Sequence, residues 1–180
     1  VLNAFSDPTT EPIEAATTKA ACGAWPGEGN QLFGSLKIDT MRYIEPHGHM
    51  VSRTTDDYVA MVTAGCEAVC EPAFWAGFDR SSANGFYDYF CQLTEHEPKR
   101  AAKFNLPHYT WLCINPKESE DVGLAEEVLS IIPEFIDRPN VLGIGEIGLN
   151  KNSRNEVKVL EKHVDLAGSR DQLILVHTPH

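Results

Sequence analysis

The chain has 180 residues, of which 42% are apolar, and its 26 acidic and 15 basic side chains give a formal net charge of −11. This length suits one domain, and no run approaches the roughly 18 uncharged apolar residues that a membrane-spanning helix needs. The acidic balance repels polyanions over a long range and therefore disfavours non-specific nucleic-acid binding.

Residues 1–37 differ in composition from the rest of the chain. The segments 7–12 and 23–30 are rich in turn-forming residues and lack sustained apolar periodicity. Only residues 13–22 have the pattern of a short helix. We therefore expect a poorly structured leader over residues 1–37, and Met41 is a candidate natural start.

Short apolar runs and helical patterns alternate from residue 38 onward. The apolar runs predict five strands, at residues 43–45, 67–70, 109–114, 141–144 and 173–176. Thr54 and Asp57 resemble a capping box that opens a helix reaching about residue 63. Ser82 is a candidate cap for a second helix, which Pro98 kinks or divides. Apolar residues at a spacing near 3.6 predict a third helix over 124–132.

The last predicted helix begins at a second capping box, formed by Ser153 and Glu156, and ends at Gly168. Its apolar face is predicted to consist of Val157, Leu160 and Val164. The predicted fifth strand follows this helix directly.

Five βα steps with short apolar strands indicate a parallel α/β architecture. The pattern alone leaves a doubly wound sheet and a (β/α)₈ barrel open. Polar residues at or just past the strand ends favour the barrel, whose strand ends converge on one active-site face. These residues are His47, His49, Glu71, Asn115, Glu146 and His177.

The predicted barrel is partial. The 140 residues from Met41 to His180 fall short of the ~250 of a complete barrel. We therefore expect about five of eight βα units, over residues 38–180, in a fragment or a split chain.

His47 and His49 are the strongest candidate metal ligands. They follow the first predicted strand, and residues i and i+2 of a strand point to the same side. Two neutral imidazoles aimed at one point suit Zn²⁺ and related divalent ions. Pro46 cannot donate to a strand ladder, which fits a strand exit at this position.

Glu146 and His177 are the candidates that would complete this site. Glu146 lies among glycines after the fourth predicted strand, and His177 follows the apolar residues of the fifth. Each has a simpler interpretation alone, as a surface or helix-capping glutamate and as a hydrogen-bonded core histidine. Together with the two earlier histidines, we predict that both bind metal and that Glu146 is also the catalytic carboxylate.

Glu71, Asn115 and His180 are candidates for supporting the ligands or contacting the substrate. Glu71 is followed by Phe74 and Trp75, and this group either lines a pocket or packs as an ordinary loop. His180 lies three residues beyond His177, at the last position of the sequence. The remaining histidines are predicted to lie on the surface, and these are His96, His108 and His163.

Three segments, in order and at suitable spacing, resemble the TatD-like metal-dependent hydrolases of the amidohydrolase superfamily. They are Tyr-Ile-Glu-Pro-His-Gly-His at 43–49, Gly-Glu-Ile-Gly-Leu-Asn at 145–150 and Val-His-Thr-Pro at 176–179. The resemblance implies a barrel with one or two divalent metal ions, Zn, Mn or Mg. It also implies that His47 and His49 bind one metal, that Glu146 bridges the pair and that His177 binds the second.

The chain departs from the family pattern at several positions. Glu45 replaces the usual aspartate before the paired histidines, Asn115 replaces a histidine, Asn150 replaces an aspartate, and Thr-Pro follows His177 in place of Ser-Arg. A later metal-binding histidine and the strand-eight aspartate, which shuttles the proton in the family, have no counterpart. We therefore expect this chain alone to be a poor enzyme.

The sequence thus predicts a metal-dependent hydrolase in which activated water attacks a phosphoester, ester or amide of a small-molecule substrate. The alternative is a non-catalytic metal- or ligand-binding barrel fragment. A doubly wound nucleotide-binding domain is a weaker rival, because no GxGxxG motif or P-loop appears. We expect no membrane partner, and we expect that activity needs the missing C-terminal part or self-association.

The five cysteines indicate a reducing compartment. They are odd in number, and no pair has the CxxC spacing. The N-terminus also lacks the basic region and apolar core of a signal peptide. We therefore predict reduced thiols in a cytoplasmic protein.

Overall fold

The order of the strands distinguishes the two candidate architectures. The computed structural model describes residues 41–177, and both the predicted leader and His180 lie outside the described residues. The strands are β1 (Tyr43–Glu45), β2 (Cys66–Pro72), β3 (His108–Leu112), β4 (Val141–Gly148) and β5 (Leu173–His177). All neighbours are parallel, in the order β1-β2-β3-β4-β5. A doubly wound sheet reverses its strand order at a switch point, so this curled half-barrel confirms the barrel prediction.

Helices alternate with the strands, as predicted. They are α1 (Thr55–Thr63), α2 (Ala83–Cys91), α3 (Glu97–Ala102), α4 (Val122–Ile131) and α5 (Arg154–Ser169). A π-helical segment, Gln92–His96, joins α2 to α3, so the irregularity predicted at Pro98 begins earlier, at Gln92. Pro98 lies in the first turn of α3, directly after this segment. Its missing N–H leaves the Thr94 carbonyl, four residues earlier, without a helical donor, and Asn140 Nδ2 donates to that carbonyl at 3.2 Å. Between residues 41 and 177, no helix combines the length and apolarity that crossing a bilayer requires.

The main core lies between the sheet and helices α2, α4 and α5. Phe90 of α2, Val128 of α4 and Ile144 of β4 are all fully buried in it. A smaller cluster around Tyr58, Met50 and Leu106 packs beside β1 and β2. These two clusters hold the strand ends, and therefore the candidate ligands, in fixed positions.

A β-bulge at Glu146 makes β4 longer than predicted. Gly145 pairs with Leu175 and Ile147 pairs with Val176, so Glu146 is the extra residue. Ile144 and Ile147 both enter the main core, although residues three apart in a regular strand face opposite sides. A bulge restores the alternation by inserting one unpaired residue, and it re-aims a side chain. The prediction that β4 ends at Ile144, with Glu146 beyond it, is therefore wrong.

Gly145 permits the close approach of β5 at this bulge. A Cβ atom at position 145 would lie 2.8 Å from the carbonyl oxygen of Leu175. That is closer than a real Cβ atom comes to a backbone oxygen, so a larger residue would push β5 away. The glycine therefore keeps the end of β5 next to the Glu146 carboxylate.

The buried face of α5 differs from the prediction. Val157 and Val164 are exposed, whereas Val159, His163 and Ala167 are buried. The buried stripe includes a histidine because the protein satisfies both ring nitrogens. His163 Nδ1 lies 2.9 Å from the Val159 carbonyl oxygen, and Nε2 accepts a hydrogen bond from the Ile114 N–H at 3.3 Å.

Two of the three histidines predicted on the surface are therefore buried. His163 is one, and His108, which forms a buried pair with Glu71, is the other. His96 is exposed, as predicted. A lone histidine in sequence gives no sign of the distant partner that makes its burial tolerable.

Strand β5 is the most exposed strand of the described sheet. Leu173 and Val176 expose 66% and 59% of their surface, and β5 pairs with β4 alone. An edge strand with exposed apolar side chains is a template for further strand pairing.

Candidate metal centre

His47, His49 and Glu146 converge at the carboxyl ends of the strands. Their three candidate ligand atoms all lie within 4.8 Å of one another. Both histidines follow the last residue of β1, so a turn, and not regular strand alternation, brings them together. The Gly48 N–H between them donates to the Cys70 carbonyl at 2.9 Å, which anchors this turn to β2.

The Glu146 carboxylate has one oxygen satisfied and one facing the histidines. Oε1 accepts a hydrogen bond from Asn115 Nδ2 at 3.0 Å. Oε2 lies 3.0 Å from His47 Nε2 and 3.6 Å from His177 Nδ1. This oxygen is buried and has no hydrogen-bond partner among the described residues.

This oxygen is the test of whether the residues suit a metal. A buried carboxylate oxygen without a donor is costly unless a cation compensates it. Two imidazoles and a carboxylate are a donor set that divalent transition metals prefer. The residues therefore fit a divalent ion, with His177 beside the group at the end of β5.

His49 is held in its neutral form. Burial, reinforced by the neighbouring His47, lowers the pKa of His49 to about 4. Its ring also stacks on Phe74, with the ring centroids 4.0 Å apart. A neutral imidazole binds a metal without first losing a proton, so the environment prepares His49 for ligation at neutral pH.

A cavity of about 210 Å³ opens beside these residues. The loops after β2, β3 and β4 contribute to it together with the end of β5. Its lining consists of His49, Phe74, Trp75, Asn115, Pro116, Lys117, Glu146, Asn150 and His177. The strand ends thus form a concave site that combines candidate ligands with aromatic walls.

Glu156 shapes the loop that brings Asn150 to the cavity. Its buried carboxylate accepts hydrogen bonds from the N–H groups of Asn150, Lys151 and Asn152 at 2.8–2.9 Å. The Ser153 side chain caps α5 by accepting from the Glu156 N–H at 3.1 Å. In a capping box, the Glu156 side chain would accept a hydrogen bond from the Ser153 N–H. Here it accepts from the loop N–H groups instead, so it stabilises the loop.

Glu71 lies behind the candidate centre and outside the cavity lining. Its carboxylate accepts from the Val51 N–H at 2.8 Å and contacts His108 Nε2 at 2.8 Å, and both side chains are fully buried. The Thr110 hydroxyl donates to the Glu71 carbonyl at 2.7 Å. Burial raises the pKa of Glu71, and its hydrogen bonds to His108 and Val51 oppose that rise.

Arg100 of α3 holds the turn that follows His49. Its guanidinium donates to the carbonyl groups of Met50 and Arg53, and Glu97 pairs with it at 3.0 Å. Glu71 and Arg100 thus fix the short 3₁₀ turn Met50–Ser52, which directly follows His49. Glu71 supports the turn that carries a candidate ligand and does not face the substrate space.

The structure brings most of the sequence candidates together and adds others. Asn115 contacts Glu146, while His180 lies outside the described residues. Lys117 and Asn150 line the cavity without having been predicted as site residues. Lys117 directly follows Asn115-Pro116 at a strand exit, and that position was the signal available in the sequence.

Two comparisons with known proteins found chains similar to this one. No family model matches the chain. An uncharacterised metal-dependent hydrolase of Methanocaldococcus jannaschii is 26% identical over 136 residues, which are 76% of this chain and 53% of that protein. The crystal structure of a TatD-like protein from Archaeoglobus fulgidus superposes with a TM-score of 0.68 at 27% identity, covering 77% of this chain and 56% of that one. The chain therefore spans about half the length of these relatives, and its predicted resemblance to TatD-like metal-dependent hydrolases is confirmed.

Proposed function

We propose that this chain, a TatD-like chain in sequence and fold, carries the metal-binding part of a metal-dependent hydrolase. The observation that carries the proposal is the convergence of His47, His49 and Glu146 within 4.8 Å. The buried Glu146 oxygen without a donor supports it independently. Two imidazoles and a carboxylate suit Zn²⁺ or Mn²⁺.

Each residue has a defined task in this proposal. A bound divalent ion would lower the pKa of a water molecule and polarise the scissile group. His47 and His49 would supply neutral nitrogen donors, and Glu146 would supply the negative charge. Asn115 fixes the Glu146 carboxylate through Oε1 and leaves Oε2 directed at the histidines. His177 would join the set from β5.

The substrate and the completeness of the site belong to the same proposal. A cavity of about 210 Å³ suits a small molecule with a phosphoester, ester or amide bond. The compared region covers 53% and 56% of the two relatives, and the exposed edge of β5 is a surface on which further strands would pair. We propose that efficient turnover needs such a complement, from additional chain or from self-association.

We also propose a cytoplasmic location. Cys66, Cys70, Cys91 and Cys113 are free thiols in the described part of the chain. Unpaired cysteines are typical of proteins in reducing compartments, which supports the location predicted from the sequence.

A non-catalytic metal-binding role is the second candidate. It is favoured by Asn115, because an amide cannot move protons as the histidine usual at this position in the family can. Within the lining of the cavity, Glu146 is the one carboxylate, and it is committed to the metal. Mn²⁺-dependent turnover of a small phosphoester such as p-nitrophenyl phosphate by this chain, even at a low rate, would exclude the non-catalytic role.

Replacing His49 by alanine should weaken metal binding by more than about tenfold, since even residues that only support metal ligands contribute about 10–100-fold. The measurement is a calorimetric titration of the 180-residue chain with Zn²⁺ or Mn²⁺. The matched control is His96→Ala, because His96 is exposed and lies on a helical segment. Equal affinities of the wild type and the His49→Ala variant would refute the metal centre.

A further inference from the structure

Trp75 and Lys117 line the cavity but have no task in the proposed hydrolysis. Trp75 comes from the loop after β2 and Lys117 from the loop after β3. They share the cavity with His49, Glu146 and His177. Side chains that border a reactive centre without binding its metal are positioned to contact the substrate.

Within residues 41–177, Lys117 is a cation without a carboxylate partner. Its Nζ atom makes no ion pair among the described residues, and it lies 4.4 Å from the centroid of the Trp75 ring. An ammonium group beside an aromatic face keeps donors free for another partner. The other lysines and arginines between residues 41 and 177 are absent from the lining.

A buried ion pair fixes both loops. The Arg80 guanidinium donates to the two Glu118 oxygens at 3.1 and 3.0 Å, and the Arg80 N–H donates to the same carboxylate at 2.9 Å. Arg80 also donates to the Phe74 carbonyl at 3.4 Å. Phe74 directly precedes Trp75, and Glu118 directly follows Lys117. The Arg80–Glu118 pair therefore holds the two loops that carry these side chains in fixed positions.

Two further hydrogen bonds orient these side chains. Trp75 Nε1 donates to Asp79 at 2.7 Å, which holds the indole ring in place. The Asn115 side chain accepts from the Lys117 N–H at 3.1 Å while its amide contacts Glu146. Asn115 therefore fixes the positions of both Lys117 and the candidate ligand Glu146. Such preorganisation lowers the entropy cost of binding a ligand.

We propose that Lys117 is the substrate-binding cation of this site, and that the substrate carries a small anionic oxygen group bound by Lys117 beside the Trp75 ring. This inference rests on the proposed function and adds the substrate class to it. A chain with a net charge of −11 repels anions, so a local cation is needed to admit one. Carboxylate and phosphate share the required chemistry, and the experiment tells them apart.

The experiment titrates inorganic phosphate and, separately, acetate into the 180-residue chain with and without saturating Mn²⁺, by calorimetry. Lys117→Gln should weaken binding of the preferred anion by about tenfold or more, since hydrogen bonds to charged groups contribute that much. Lys117→Arg should retain binding, because it keeps the charge. The matched control is Lys99→Gln, which removes an exposed lysine of α3 outside the cavity.

The outcomes separate this inference from the proposed function. Normal Mn²⁺ affinity in Lys117→Gln, together with weakened anion binding, supports the inference. Unchanged anion affinity in Lys117→Gln overturns it, and so does a wild-type chain that binds neither anion. A wild-type chain that fails to bind Mn²⁺ refutes the proposed metal centre, and the metal-free titration then still tests Lys117.

Discussion

Replacing Glu71 by alanine is expected to destabilise the folded chain by about 2–6 kcal/mol, because each buried polar group left without a hydrogen-bond partner costs about 1–3 kcal/mol and two such groups would remain. His108 would lose the carboxylate that lies 2.8 Å from its Nε2 atom, and the Val51 N–H would lose its acceptor. Both groups would remain buried without a partner. The measurement is the free energy of unfolding from urea denaturation.

Two variants make this expectation specific. Glu67→Ala removes an exposed glutamate from the same strand, whose contact with Arg42 lies on the surface, and it should cost less than about 1 kcal/mol. Glu71→Gln keeps the shape and one acceptor for Val51, so its cost should be intermediate. If Glu71→Ala costs no more than Glu67→Ala, the pair does not stabilise the turn beside His49.

Acidification is expected to remove about 3 kcal/mol of stability through His163 alone, since each unit of pKa difference is worth about 1.4 kcal/mol. Burial lowers the pKa of His163 to about 4 in the folded chain, whereas an unfolded histidine titrates near pH ~6.5. Between these values the unfolded state binds the additional proton. The contribution of His163 to the free energy of unfolding is therefore complete above pH ~6.5 and is lost as the pH falls to about 4.

Urea denaturation at a series of pH values measures this loss. His163→Gln lacks the titrating ring, so its stability should fall less steeply than that of the wild type between pH ~6.5 and about 4. The His49 contribution has the same sign and remains in both proteins, so the comparison isolates His163. His96→Gln, which changes an exposed histidine, should keep the full slope. Parallel slopes for the wild type and His163→Gln would contradict the expectation.

The sequence allowed the fold to be predicted because its signals are local. Capping residues such as Thr54 and Ser82, together with apolar periodicity, mark most of the helices, and short apolar runs mark the strands. The end of β4 was mispredicted, because a bulge depends on pairing with β5 and leaves no mark in β4 alone. The buried face of α5 was mispredicted because one ring nitrogen of the buried His163 is satisfied by the distant Ile114 N–H, which the sequence of the helix does not reveal.

In the candidate site too, residues with a local sequence signal could be predicted and residues that depend on tertiary contacts could not. His47 and His49 could be predicted as ligands, since two histidines separated by one residue at a strand exit are a local pattern. The contact of Asn115 with Glu146, 31 residues away, and the buried pairing of Glu71 with His108, 37 residues away, depend on tertiary structure. Lys117 could not be assigned, because a lysine in a loop is usually solvated and only the shared cavity distinguishes it.

The bulge in β4 also separates the candidate ligand from the packing of the strand. Deleting Glu146 would restore regular pairing, with Gly145 opposite Leu175 and the present Ile147 opposite Val176. Ile144 and Ile147 would then be two residues apart and would still face the same side of the sheet. A one-codon deletion at the bulge would therefore remove a ligand and leave the core intact, whereas a one-codon deletion in a regular part of the strand would exchange its two surfaces. We therefore expect related chains that lack the metal centre to lose the bulge while conserving the apolar character of both isoleucine positions.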